Sequence, residues 1–204
     1  MYWKKEKLDY EILVFPLEKP IEKLTPKQMD KFFHWYIEQI PQRVAYLENY
    51  SGVRLDYSLE SLVPIWHWFL KHAKLEKTPL VTRLNLLKSL KEDNVPREIA
   101  REIQSESKYQ FSLQTEYIMN DITMYFGEVG VRNYDSIYWG YETSKRKIYN
   151  RPLIMGFVDR DYPPPNTVAF DPARMVRDCA EGLMIGDANK NDLLDLYRLW
   201  ERMT

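Results

Sequence analysis

Residues 113–129, LQTEYIMNDITMYFGEV, constrain the fold more than any other stretch of the chain. Leu113, Tyr117, Ile118, Ile122, Tyr125, Phe126 and Val129 recur at three- and four-residue steps and cover most of a helix circumference. A helix that is apolar nearly all round has to be enclosed by the rest of its own chain. Ser112 supplies a capping hydroxyl in front of it, and the helical period stops at Gly130. The expectation is a central helix with the other elements packed around it.

The sequence offers those other elements. In LTPKQMDKFF, Thr25 can cap, Pro26 suits the first helical position and Gln28 completes a capping box. Met29, Phe33, Tyr36, Ile37, Ile40, Val44 and Leu47 then form one stripe, which Pro41 interrupts with a kink or a fresh start before Tyr50-Ser51-Gly52 ends the run. Ser58 or Ser61 can cap the next helix, with Leu62, Ile65, Trp66, Phe69 and Leu70 on its apolar face and Pro64 within the first turn. Thr78-Pro79 introduces LVTRLNLLKSL, and Asn94 with Pro96 introduces REIAREI; both helices are more polar and belong on the surface. Asp171-Pro172 starts another helix, and a short amphipathic one closes the chain from about Asn191.

Two stretches follow a different rule. Residues 8–15, LDYEILVF, read as a short strand or as part of an extended N-terminal arm over residues 1–20. After Gly130 the period becomes two: SIYWGY, the polar turn ETSKRK and IYNRPLIMGF predict a β-hairpin, or two strands of a small antiparallel sheet, at about 136–158. RDYPPPNT must be a loop, because adjacent prolines donate no ladder hydrogen bonds. The sum is an α+β fold, predominantly helical, in a single domain over residues 1–204.

At 204 residues, with 45% hydrophobic and 29% charged, the chain can bury a core unaided. Its 29 lysines and arginines against 30 acidic residues create no global field, so neither nucleic acid nor membrane is an expected partner. A single cysteine, Cys179, cannot form an internal disulfide. MYWKKEKLDYE lacks the apolar core of a secretory signal and LVPIWHWFL is far short of a membrane span, so the expected location is the cytoplasm.

GDANKNDLLDLYRLW places Asp187, Asn189, Asn191 and Asp195 at the odd positions of a calcium loop. Such a loop needs glycine at its sixth position and a bidentate glutamate at its twelfth, where this chain has Asp192 and Arg198. The stretch reads instead as a turn after Gly186, with Asn189 or Asn191 capping the last helix, and no metal or cofactor is expected. His67 and His72 are five apart and do not share one helix face, while His34 has Glu38 one turn on to orient its ring. Without a nucleophile motif, all three read as ordinary histidines.

Asp121 and Glu128 lie seven apart on the central helix, with Arg132 one turn further. Facing a cleft, the two carboxyls would form an acid–base pair; facing arginines such as Arg43 or Arg151, they would be structural ion pairs. The basic turn SKRK has no glycine-rich phosphate loop beside it. Around it stand Tyr134, Tyr138, Trp139, Tyr141 and Tyr149, and alternation sends Trp139 and Tyr141 to one face of the hairpin and Tyr138 to the other.

MYFGEVGVRNYDSIYWGY together with NRPLIMGF resembles a family of bacterial cytoplasmic proteins in which a helix ending in Gly-Glu runs into a tryptophan-bearing hairpin. More distantly it is similar to immunity proteins of toxin systems. The resemblance implies protein binding and carries over no catalytic residue. The expected function is therefore a non-enzymatic interaction module of immunity type, with Trp139, Tyr138, Tyr141 and Arg132 at the contact surface and another protein as partner. The alternative is a small-molecule enzyme using Asp121 and Glu128 as acid and base.

Overall fold

Thr25 closes the capping box that its sequence predicts: its N–H donates to Gln28 Oε1 at 3.1 Å, and Gln28 N–H donates to Thr25 Oγ1 at 3.4 Å. Helix α1, Pro26–Ser51, follows and ends at Gly52, whose φ of 69° is the left-handed cap that glycine adopts without strain. In this computed structural model, which describes residues 9–142, 151–159 and 166–203, α1 runs through Pro41 as one helix rather than restarting there. Proline inside a helix costs about 3 kcal/mol. Ile40, Val44 and Leu47, buried next to and beyond it, offset that cost by packing. The buried stripe is also rotated from the expected one: Phe32 and Arg43 are inside, while Phe33 and Ile37 are only half-buried.

The second helix, α2 (Leu62–His72), holds Pro64 in its first turn, and Ser58 Oγ accepts from Ser61 N–H at 3.2 Å just before it. Helices α3 (Leu80–Glu92) and α4 (Arg97–Glu106) lie at the surface as expected, but Pro79 and Pro96 themselves occupy the N-cap positions, with no side-chain bond from Thr78 or Asn94. Two strands that the sequence does not announce, β1 (Leu75–Lys77) and β2 (Tyr109–Phe111), pair antiparallel at the base of this helical pair. Leu75 meets Phe111 and Lys77 meets Tyr109. With three residues each, they are too short to show alternation.

Helix α5 spans Leu113–Asn133, capped by Ser112 Oγ accepting from Thr115 N–H at 3.3 Å. It packs against α1, α2, the last strands and α6 (Pro172–Ile185), and so is the central helix that its composition requires. Ile122, Met124, Tyr125, Phe126 and Val129 are fully buried, whereas Leu113 in the first turn is exposed. The helix does not end at Gly130. A Cβ there would stand 2.5 Å from the Tyr197 hydroxyl, so this glycine serves a close approach inside the helix.

The predicted hairpin strands are β3 (Tyr138–Gly140) and β4 (Leu153–Asp159), paired antiparallel with Trp139 opposite Ile154. A third strand, β5 (Asn166–Phe170), adds to β4 and gives the order β3-β4-β5. Asn166 and Thr167, expected in the proline-rich loop, open this strand instead. The basic turn at 144–147, Tyr149 and the prolines at 163–165 lie outside the described residues. A register shift between Ile154 and Phe157 contains Gly156, with φ 102°, lying against the backbone of Ser136.

Asp171 caps α6 as expected, its Oδ1 accepting from Ala173 N–H at 3.1 Å and Arg174 N–H at 3.2 Å. The last helix, α7 (Asp192–Trp200), buries Leu193, Leu194, Tyr197 and Trp200. Residues 9–20 form no strand but an irregular arm that inserts Tyr10 into the core. The fold is α+β and mostly helical. Among the described residues, no helix is long and apolar enough to cross a membrane. Among the described side chains, the principal core takes nothing from residues 76–110, so α3 and α4 stand outside it as an arm.

Candidate functional site

Asp121 is fully buried and held by Arg43, which donates from Nε to Oδ1 at 2.9 Å and from Nη2 to Oδ2 at 2.6 Å. The Tyr10 hydroxyl donates a further short bond to Oδ2, and Arg43 also reaches the Glu11 carbonyl at 2.9 Å. Burial pushes the Asp121 carboxyl up, while the bonds from Arg43 and Tyr10 pull it back down. Both oxygens are thus committed to ties that join α5, α1 and the N-terminal arm.

Glu128 faces a different set of groups. It accepts from Trp139 Nε1 at 3.0 Å and from Arg132 Nε at 3.1 Å. The Arg132 guanidinium also lies 3.6 Å from the Tyr57 ring centre, a cation–π contact. Of the four residues expected at a contact surface, two turn inward. Trp139 packs against Gly127 and Tyr36, and Tyr141 packs on Phe33 and donates to Asp30 Oδ1 at 2.8 Å. Tyr138, on the opposite face, is 53% exposed. Arg151, the other arginine expected near the carboxylates, pairs with Asp171 at 2.8 Å.

The calcium-like stretch is wound into local bonds. Asp192 Oδ2 accepts from Asn189 N–H at 2.8 Å, Asn189 Oδ1 accepts from Asn191 N–H at 3.0 Å, and Arg198 pairs with Asp195 at 3.0 Å. His34 lies 3.5 Å from Asp30 rather than beside Glu38, and His72 Nδ1 is 2.7 Å from the Trp68 carbonyl.

A further concave surface takes in Asp187, Asp192 and Asp195 of the calcium-like stretch, but neither Asp121 nor Glu128 nor any of the four residues expected at a contact surface. A groove of about 1180 Å³ runs between β2 with the end of α4 on one side and α6 with α7 on the other. Its apolar lining includes Ile103, Tyr109, Phe111, Met184, Leu196 and Leu199. Ile185 is 70% and Leu199 65% exposed there, although each lies on an otherwise packed amphipathic helix. The charged lining is one-sided, with Glu116, Asp178, Glu181, Asp187, Asp192 and Asp195 against Lys108 and Arg177. Arg177 is taken by Glu116, Arg174 holds Asp178 at 3.6 Å, and Glu181 and Asp187 have no side-chain partner among the described residues. Leu80, Val81 and Leu84 on α3 and Ile99 on α4 are exposed as well.

The sequence contains a trace of this site that periodicity passes over: leucines and isoleucines outside the packed faces of their helices, and acidic residues crowded into 178–195. No protein-family model, curated protein or solved structure matches the chain.

Proposed function

We propose that this protein is a non-enzymatic interaction module whose groove receives a cationic, amphipathic segment of another protein. The observation that carries the reading is the pairing of an exposed apolar floor with a one-sided acidic margin. Apolar anchors in such a groove supply affinity, and margin charges steer encounter and select the sign of the partner. The commitment of Asp121 and Glu128 to internal partners supports binding over acid–base chemistry. An immunity-type role, as the helix-to-hairpin resemblance implies, is the case in which the partner is a toxin.

The test is titration with a designed leucine–lysine amphipathic helix, using the leucine–glutamate helix of the same pattern as control. The lysine peptide binds, salt weakens it, and Leu199→Asp or the pair Glu181→Lys and Asp187→Lys lowers affinity at least about tenfold, a change of about 1.4 kcal/mol. Equal binding of the two peptides, or indifference to the groove substitutions, removes the reading.

A further inference from the structure

A second cavity lies further along α5, bordered by α1, α5, Arg151–Pro152, the start of α6 and the N-terminal arm. Its volume is about 230 Å³, below the roughly 300–1,000 Å³ of pockets that take drug-sized ligands. Phe15, Phe32 and Pro172 contribute apolar walls. What distinguishes it is the polar lining of Tyr36 and Arg151 with Asn120 and Thr123.

Tyr36 is 7% and Thr123 4% exposed, yet neither hydroxyl has a hydrogen-bond partner among the described residues. The Asn120 amide lacks one as well. Arg151 spends Nη1 on Asp171, while its Nε is buried with no acceptor. Leaving a buried group such as Arg151 Nε unpaired costs about 1–3 kcal/mol, so this N–H, in a cavity also lined by Tyr36, Thr123 and Asn120 without partners among the described residues, marks a place where a guest completes the bonding.

The charges decide what kind of guest. Asp171 neutralises Arg151, so the cavity has no spare cation for an anion. Burial, and after it the carboxylates of Asp121, Asp171 and Glu128, push the Tyr36 phenol up, which reports a field unfavourable to added negative charge. A cation brings no acceptor for the buried Arg151 Nε–H, which is the bond the cavity lacks.

We infer that this cavity is a binding site for a small neutral molecule with a flat apolar body and one carbonyl or hydroxyl oxygen. That oxygen accepts from Arg151 Nε, the ring lies among Phe15, Phe32 and Pro172, and Tyr36, Asn120 and Thr123 bond to the remaining polar end. The site shares no lining residue with the groove and stands whether or not the groove binds a protein.

Three probes of one shape separate the possibilities: benzamide, benzoate and benzamidine, titrated into the full chain by protein-observed NMR. Benzamide binds in the millimolar range and at least about fivefold more tightly than either charged probe. Tyr36→Phe and Thr123→Val, which remove a hydroxyl and keep the shape, each weaken it about fivefold, equivalent to one hydrogen bond of about 1 kcal/mol. Leu199→Asp leaves benzamide binding unchanged while weakening that of the lysine peptide at least about tenfold. The inference is overturned by tighter binding of benzoate or benzamidine, by indifference to both hydroxyl deletions, or by a benzamide-soaked crystal with ordered water only in the cavity.

Discussion

Arg43 meets Asp121 in a two-pronged contact at 2.9 and 2.6 Å, with both side chains almost wholly buried. One bond pair therefore ties α1 to the central helix, and Tyr10 ties the N-terminal arm to the same carboxylate. Removing one member strands a charge. Asp121→Ala is expected to cost about 3–5 kcal/mol in urea unfolding, whereas Arg43→Met combined with Asp121→Leu recovers most of the loss, because an apolar pair needs no desolvation of ions. Tyr10→Phe loses one charge-assisted bond, about 1.5–3 kcal/mol. Full additivity in the double variant would show that the two side chains act independently.

The hairpin carries an analogous asymmetry. Trp139 lies against Gly127 so closely that a Cβ there would fall within the indole, and Tyr138 points away from the body. Trp139→Ala is expected to destabilise by about 2–4 kcal/mol and Gly127→Ala by about 1–3 kcal/mol, the first through a cavity and the second through overpacking. Tyr138→Ala stays within about 0.5 kcal/mol. Thermal unfolding of the three variants checks the order, and a stable Trp139→Ala protein would place that ring outside the core.

These two contacts also mark how far the sequence could be read. The central helix, the capping signals at Thr25, Ser112 and Asp171, and the opposite faces of Tyr138 and Trp139 follow from local periodicity and local hydrogen-bonding chemistry. Arg43 was legible only as a partner to consider, because its burial depends on a carboxylate 78 residues away. Strands β1 and β2 left no pattern, since three residues cannot display a period and their pairing spans two helices. Gly130 carried the wrong message for a similar reason. It reads as a helix stop until Tyr197, from the far end of the chain, is seen resting on it. The groove is equally non-local, with α4 and β2 supplying one wall and α6 and α7 the other.

Cys179 lines that groove with a thiol pushed up to about 12, first by burial and then by the carboxylates of Asp192 and Asp178. At about pH 8, where an unfolded cysteine is partly ionised, the native thiol stays protonated and reacts slowly with a disulfide reagent, and urea makes labelling fast. Asp178→Asn speeds the native reaction. The native state holds this proton more tightly than the unfolded chain does. The thiol's contribution to stability is therefore complete below the ordinary thiol range and declines as pH rises from 9.0 toward about 12. Equal labelling rates in native and unfolded protein would contradict the shift.

The arm of α3 and α4 offers the most direct separation of folding from binding. Lys77 and Tyr109 are antiparallel partners, so the strands β1 and β2 already stand at the spacing a tight turn bridges. Leu90, the only side chain of α3 that is buried, lies outside the principal core, and among the described side chains that core includes nothing from residues 76–110. Replacing residues 78–108 by Asn-Gly is therefore expected to leave a cooperatively folding body with a smaller urea m-value, because fewer residues unfold, and a midpoint that does not fall, because the principal core is kept. The same change takes away Ile103, Ser107 and Lys108 from one wall of the groove, so binding of the lysine peptide is lost. Benzamide binding persists, because no wall of the smaller cavity comes from the arm. A shortened protein that melts without cooperativity would mean that α3 and α4 stabilise the body after all, and one that still binds the lysine peptide would place the docking surface elsewhere.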